Sequence, residues 1–179
     1  MLIREATVAD APGIGKVQVD TWRTTYAGIV PEAELEALSY EDKQRFWERV
    51  ITYPGNPTFV YVAQDNEGQI VGFTSGGQAM KPELGYEGEL YTIYVLREFQ
   101  GKGAGRELFR VAVQRFMERG FRSMLLWVFV DNPSRRFYEA MGGQVVAHDH
   151  FELGGATIQE VAYGWPDLSA LRFDRSDGA

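Results

Sequence analysis

Residues 124–130 read Met-Leu-Leu-Trp-Val-Phe-Val, an apolar run without a break. It is far short of a membrane span, which needs about 20 residues. It suits a strand buried on both faces of a sheet. Such a strand needs a layer above and a layer below, so the chain must supply helices as well as neighbouring strands. The helical signal lies just upstream. Leu108, Phe109, Ala112, Val113, Phe116 and Met117 recur at helical spacing, and Glu107, Arg110, Gln114, Glu118 and Arg119 fall off that stripe. Gly120 stands where a C-terminal cap belongs.

The remaining segments alternate in the same way. Residues 2–6 read as a short strand. Thr7-Val8-Ala9-Asp10 has the form of a capping box, and Asp10 is the alternative cap that would put Pro12 in the first turn. Either start predicts a helix to about Thr25. A second helical region over 32–52 should come in two pieces, and Tyr53-Pro54-Gly55-Asn56-Pro57 stops it. Residues 58–63 and 69–77 form a hairpin around Asp65-Asn66-Glu67-Gly68, and 87–95 is a third strand in a row. A short helix follows Pro133, and strands over 143–153 and 156–165 finish the chain. A single domain over 1–170 with a tail over 171–179 is expected. The class is α/β with α+β mixing: one mixed sheet with helices on both faces. The step from 87–95 through the helix to 124–130 should be a right-handed crossover between parallel neighbours.

Composition narrows the function. The chain has 18 Lys+Arg against 25 Asp+Glu, a formal charge of −7. So acidic a chain is a poor partner for nucleic acid, where binding relies on neutralising phosphates. It could draw in a cationic small molecule, or the charge could serve solubility alone. There is no cysteine, which removes disulfides, thiolate metal sites and a cysteine nucleophile. His148 and His150 alternate on one strand face, but no third ligand is evident, so no metal is expected. The N-terminus carries no apolar signal run, and a cytoplasmic protein is expected.

Chemistry is concentrated in Gln100-Gly101-Lys102-Gly103-Ala104-Gly105-Arg106, which follows a strand and opens a helix. Glycines without Cβ atoms let backbone N–H groups approach a ligand. A helix start adds unpaired donors and partial positive charge. Lys102 and Arg106 add full charges. This is the make-up of a phosphate or pyrophosphate cradle; the alternative is a turn that only tightens the connection. It is not a Walker loop, which needs Gly-x4-Gly-Lys-Ser/Thr. Read as a dinucleotide fingerprint from Gly101, it has Arg106 in place of the third glycine, and it does not follow the first strand.

The segment resembles the acyl-CoA-binding signature of the GNAT superfamily of N-acetyltransferases, Gln/Arg-x-x-Gly-x-Gly/Ala, through Gln100, Gly103 and Gly105. Asn132-Pro133-Ser134-Arg135-Arg136-Phe137-Tyr138-Glu139-Ala140-Met141-Gly142-Gly143 resembles its second motif, Asn…Tyr-Glu-x-x-Gly. Thr21-Trp22-Arg23-Thr24-Thr25-Tyr26-Ala27-Gly28-Ile29-Val30-Pro31 is similar to a subgroup that includes a small-amine and polyamine acetyltransferase. Two departures stand out. The Asn-to-Tyr spacing is one residue shorter than in many relatives, and Gly143 stands where many carry Phe.

The resemblance implies a GNAT-like, mostly antiparallel sheet with a central parallel strand pair, and acetyl-CoA as cosubstrate. Pantetheine would lie in a splay between strands 87–95 and 124–130, bonded to backbone of Ile93, Tyr94 and Val95. Gln100, Gly101, Lys102, Gly103, Ala104, Gly105 and Arg106 would hold the pyrophosphate. Asn132 would bond the pantetheine arm, cap the helix after Pro133, or do both. Tyr138 would protonate the leaving thiolate, or else pack the core. An amine of pKa about 10.4 is neutral only about 0.04% of the time at pH 7, so a base is useful. Glu89 and Glu87, two apart on one strand face, are the candidates, with Glu89 favoured. Trp22, Tyr26 and Thr92 could line an aromatic slot for the acceptor, or the two aromatics could be core. The implied partner is a small-molecule amine, with no nucleic acid and no membrane; a homodimer is left open. Protein or peptide acetylation and a noncatalytic acyl-CoA sensor are the alternatives.

Overall fold

The computed structural model describes residues 1–173. Its strands are β1 (Leu2–Glu5), β2 (Phe59–Gln64), β3 (Ile70–Gln78), β4 (Gly88–Val95), β5 (Met124–Phe129), β6 (Gln144–Leu153) and β7 (Ala156–Trp165). Its helices are α1 (Ala11–Thr25), α2 (Glu32–Glu36), α3 (Tyr40–Thr52), α4 (Ala104–Glu118) and α5 (Arg135–Ala140). The predicted tail lies outside the described residues from 174 onward. Within its described part, Leu171 and Phe173 pack against the core, with the Phe173 ring 6.1 Å from that of Phe109.

The entry to α1 is set locally. The Thr7 N–H and hydroxyl both donate to the Asp10 carboxylate, at 2.8 and 3.0 Å. Arg4 on β1 grips the same carboxylate with two nitrogens, at 2.7 and 2.8 Å. The Arg4 bond chiefly, with the Thr7 bonds, holds Asp10 at a pKa of about 2 although burial opposes this. At α3 the Asp42 N–H donates to the Ser39 hydroxyl at 3.2 Å, an N-cap.

The seven strands form one sheet in the order β1-β2-β3-β4-β5-β7-β6. All neighbours are antiparallel except β4 and β5, the parallel pair joined through α4. Strand alternation sorts side chains between two layers. On one face Phe73 meets Trp47 of α3 at 5.0 Å, and Phe129 meets Tyr26 at 4.7 Å. On the other, Phe59 meets Phe116 of α4 at 5.0 Å, and Leu126 and Val128 join Phe109 and Val113 in one core. The unbroken apolar run is thus central and covered on both sides. Trp165 explains the glycine at 143: a Cβ there would come within 2.7 Å of the indole ring. Among the described residues no helix is long and apolar enough to cross a membrane.

Candidate active site

β4 and β5 are paired only at Gly88–Met124 and Glu89–Leu125. Beyond Glu89 they separate. β4 also carries a bulge: Ser75 pairs with Thr92 and Gly76 with Leu90, so Tyr91 is the extra residue. Past the bulge the Leu96 N–H bonds to the Val71 carbonyl at 2.9 Å, next to the Gly72–Val95 pair. Antiparallel alternation then turns the Tyr94 N–H and C=O towards β3, and those of Ile93 and Val95 towards the opening. The Val95 carbonyl is taken by the Gln100 side-chain amide at 2.9 Å. Of the three residues expected to offer backbone, Ile93 and Val95 do, and Tyr94 offers its ring and hydroxyl instead.

The glycine turn closes the wide end. Gly101 (φ 73°) and Gly103 (φ 88°) lie in the left-handed region, and no atom stands within 4 Å of where their Cβ atoms would be. That region disfavours side chains, and the open space beside it is a cradle that a Cβ would fill. Gly103 directly precedes the 15-residue α4, whose first turn points its free N–H groups and partial positive charge at the cradle. Gly105 and Arg106 border it, and Lys102 lies over the Phe99 ring at 5.4 Å. The cleft encloses about 490 Å³, within the usual range for a small-molecule site of about 300–1,000 Å³. Its far wall is Pro133, Phe137 and Met141. These residues fit a pyrophosphate with an apolar arm.

The cleft runs into a narrower slot of about 70 Å³ between the splayed strands, with Tyr138 on the border of both. Several contacts fix α5, which carries Tyr138. The Ser134 N–H donates to the Asn132 side-chain oxygen at 2.8 Å, a turn that leads into α5, whose own N-cap position is held by Ser134 rather than Asn132. Arg135 donates to the Tyr163 hydroxyl at 3.0 Å, which donates to Glu139 at 2.6 Å. Tyr138 is buried, and its hydroxyl bonds to no described residue. Burial pushes its pKa up, so the phenol keeps its proton.

Tyr26 and Thr92 also line the slot. The Asn132 amide donates to the Tyr26 hydroxyl at 3.4 Å, linking the two. The Thr92 hydroxyl is 2.6 Å from that of Ser75. Trp22 stands behind this wall rather than in it. Its indole N–H donates to the Tyr94 hydroxyl at 3.1 Å, and its ring is edge-on to Tyr26 at 4.8 Å. His148 and His150 are exposed on β6 and line neither space. Among the described residues no cluster of His, Asp and Glu could hold a metal.

The two glutamates part company. Glu89 is 7% exposed and accepts the Met80 N–H at 2.8 Å. Desolvation pushes its pKa up against that bond and nearby Lys81. Glu87 lies at the surface, where its carboxylate accepts the Arg122 N–H and pairs with the Arg122 guanidinium at 3.6 Å. The Arg122 backbone bond chiefly lowers its pKa. Neither carboxylate lines the slot directly; Glu89 adjoins Leu90, which does.

Among the slot residues that sequence reasoning passed over are Thr21, Thr25 and Trp127. Thr21 had a signal, since it follows Ile14 and Val17 along a buried helical stripe. Trp127 had none, because its partner is remote: Lys81 lies 4.3 Å over its ring and pairs with Asp149 on β6.

Comparison with known proteins gives a consistent picture. The Acetyltransferase (GNAT) family profile matches residues 19–143, well over half of the chain. An uncharacterized N-acetyltransferase of Bacillus subtilis (strain 168), YuaI, is 44% identical over 170 residues, 95% of each chain. An L-methionine sulfoximine/L-methionine sulfone acetyltransferase of Pseudomonas aeruginosa is 30% identical over 124 residues, 69% of this chain and 67% of that one. Among solved structures, PaiA N-acetyltransferase from Thermoplasma acidophilum in complex with coenzyme A superposes with a TM-score of 0.70 at 22% identity, over 89% of this chain and 96% of that chain.

Proposed function

The chain belongs to the GNAT acetyltransferase family and takes acetyl-CoA as its cosubstrate, and on that premise we propose that it acetylates the primary amine of a small molecule by direct attack in a ternary complex. The observation that carries the acceptor size is the slot. It holds about 70 Å³ and is walled by α1, β4 and β5, so it admits the tip of a small amine more readily than a folded protein surface. The name of the sulfoximine acetyltransferase favours an amino-acid-like acceptor within that class. The chain's acidity favours a cationic one.

Each role follows from placement. The glycine turn and the start of α4 bind the pyrophosphate through backbone N–H groups, Lys102 and Arg106. Ile93 and Val95 present backbone to the pantetheine arm, and an N–H from this stretch polarises the carbonyl. When bound, acetyl-CoA supplies an activated thioester. Tyr138, protonated and on the border of cleft and slot, gives its proton to the departing sulfur. Glu89 takes the amine proton through a water, since it lies beside the slot rather than in it. A neutral amine costs about 4.6 kcal/mol at pH 7 for a pKa near 10.4, so a relay to a carboxylate is worth having.

A thiol-release screen tests this reading, with acetyl-CoA against polyamines, amino acids, methionine sulfoximine, aminoglycosides and peptides. Turnover with a small amine is expected. Turnover with peptides alone would transfer the role to protein acetylation, and none with any amine would favour an acyl-CoA sensor.

A further inference from the structure

Buried hydroxyls are almost always hydrogen-bonded, so an orphan needs a reason. Thr21 is 5% exposed, and its hydroxyl has no partner among the described residues. A helical threonine has a local remedy, back-bonding to a carbonyl one turn upstream. Thr24 in the same helix uses it, donating to the Asp20 carbonyl at 2.9 Å. Thr21 does not, and its side chain borders the slot. On a stripe with Ile14 and Val17, packing alone would be met by the isosteric valine.

The place of Thr21 along the slot identifies what it meets. The slot shares Ile93, Val95, Gln100, Ser134 and Tyr138 with the glycine-lined cleft. Thr21 lines the slot and not the cleft, so it lies away from the glycine turn. That is the side from which an acceptor must approach. Two other hydroxyls there are engaged, that of Thr92 with Ser75 and that of Tyr26 with Asn132, and Thr21 differs from them in being buried with no partner. We propose that the Thr21 hydroxyl binds the acceptor nitrogen, accepting an N–H of the amine and so aiming its lone pair along the slot. A hydroxyl has two lone pairs for that purpose. This inference rests on the acetyltransferase reading above.

The experiment compares Thr21→Val and Thr21→Ser with wild type, using an amine that wild type turns over at saturating acetyl-CoA, with acetyl-CoA affinity measured by calorimetry. Thr21→Val should lower kcat/KM for the amine about 10- to 100-fold, the range for one hydrogen bond to a reacting group. Acetyl-CoA affinity and Tm should not fall, and Thr21→Ser should keep most of the activity. Thr21→Ala carries the same expectation if valine disturbs packing. Wild-type kcat/KM in Thr21→Val and Thr21→Ala, or a parallel loss of acetyl-CoA affinity, overturns the inference while leaving the acetyltransferase reading intact. Absence of amine turnover in the wild type overturns both.

Discussion

Glu87 and Glu89 are two residues apart, yet only Glu89 has the buried setting that the proposed base requires. Glu89 is buried and its pKa is raised by desolvation; Glu87 is at the surface and held ionised by the Arg122 backbone. A base with a raised pKa loses its function as pH falls through that value, because the carboxyl becomes protonated. Glu89→Gln should therefore lower kcat/KM near pH 7, with partial recovery towards pH 9 as solvent takes over deprotonation. Parallel pH profiles for variant and wild type would remove Glu89 from the role, and Glu87→Gln should behave as wild type throughout. For Tyr138→Phe we expect kcat to fall by roughly 10²-fold with CoA binding nearly intact. A kcat within about twofold of wild type would mean that protonation is not its task, or that another step limits turnover.

At the scale of elements, the turn before α4 and the entry to α1 carry separable burdens. Gly103 combines a φ of 88° with open space where a Cβ would stand. Gly103→Glu would put a strained residue and a negative charge in the cradle. CoA affinity should drop at least tenfold, since one charge-assisted contact contributes about 1.5–3 kcal/mol; calorimetry on a variant with wild-type circular dichroism decides it. The Arg4–Asp10 pair bears on stability instead. Asp10 falls from its ordinary 3.8 to about 2 in the folded chain. A depressed carboxylate contributes stability that is fully present above its unfolded pKa and is lost as pH falls through the folded one. Asp10→Asn should thus cost about 1–2 kcal/mol at pH 7, discounted because Arg4 is partly exposed. Urea melts should show the two proteins converging between pH 4 and pH 2.

For the whole molecule, the consequence of the splay is mechanical. Among the described residues, strands β1–β4 and strands β5, β7 and β6 share ladder pairing only at Gly88 and Glu89. A ligand lying between β4 and β5 supplies the missing bridge. At about 100 times its Kd, acetyl-CoA should add about 2.7 kcal/mol, or a Tm rise of about 5–10 °C at this chain length. At the same acetyl-CoA concentration, thermal melts should show that rise in wild type and at most about half of it in Gly103→Glu. Amide exchange should slow at Ile93 and Val95, whose N–H groups face the opening, more than at Tyr94, which already pairs with β3.

What could be read from the chain alone was whatever depends on near neighbours in sequence. The strand at 124–130 and the α4 stripe follow from period and burial. The glycine turn follows from residues that adopt left-handed backbone at no steric cost before a helix, and the turn at Asn132 from a side chain bonding two residues on. The separation of Glu87 from Glu89 was not legible, because alternation puts both on one side of a strand. What divides them is Arg122, which comes from the segment before β5, and the Met80 N–H, which comes from the loop after β3. Trp22 behind the slot, Thr21 in it and Lys81 over Trp127 likewise depend on where α1 crosses the sheet and where β6 and the loop after β3 meet. Those are contacts between residues tens of positions apart. Local propensity sets which residues can form an element; only packing the elements together sets which side chains meet, and the slot between β4 and β5 is made almost wholly of such meetings.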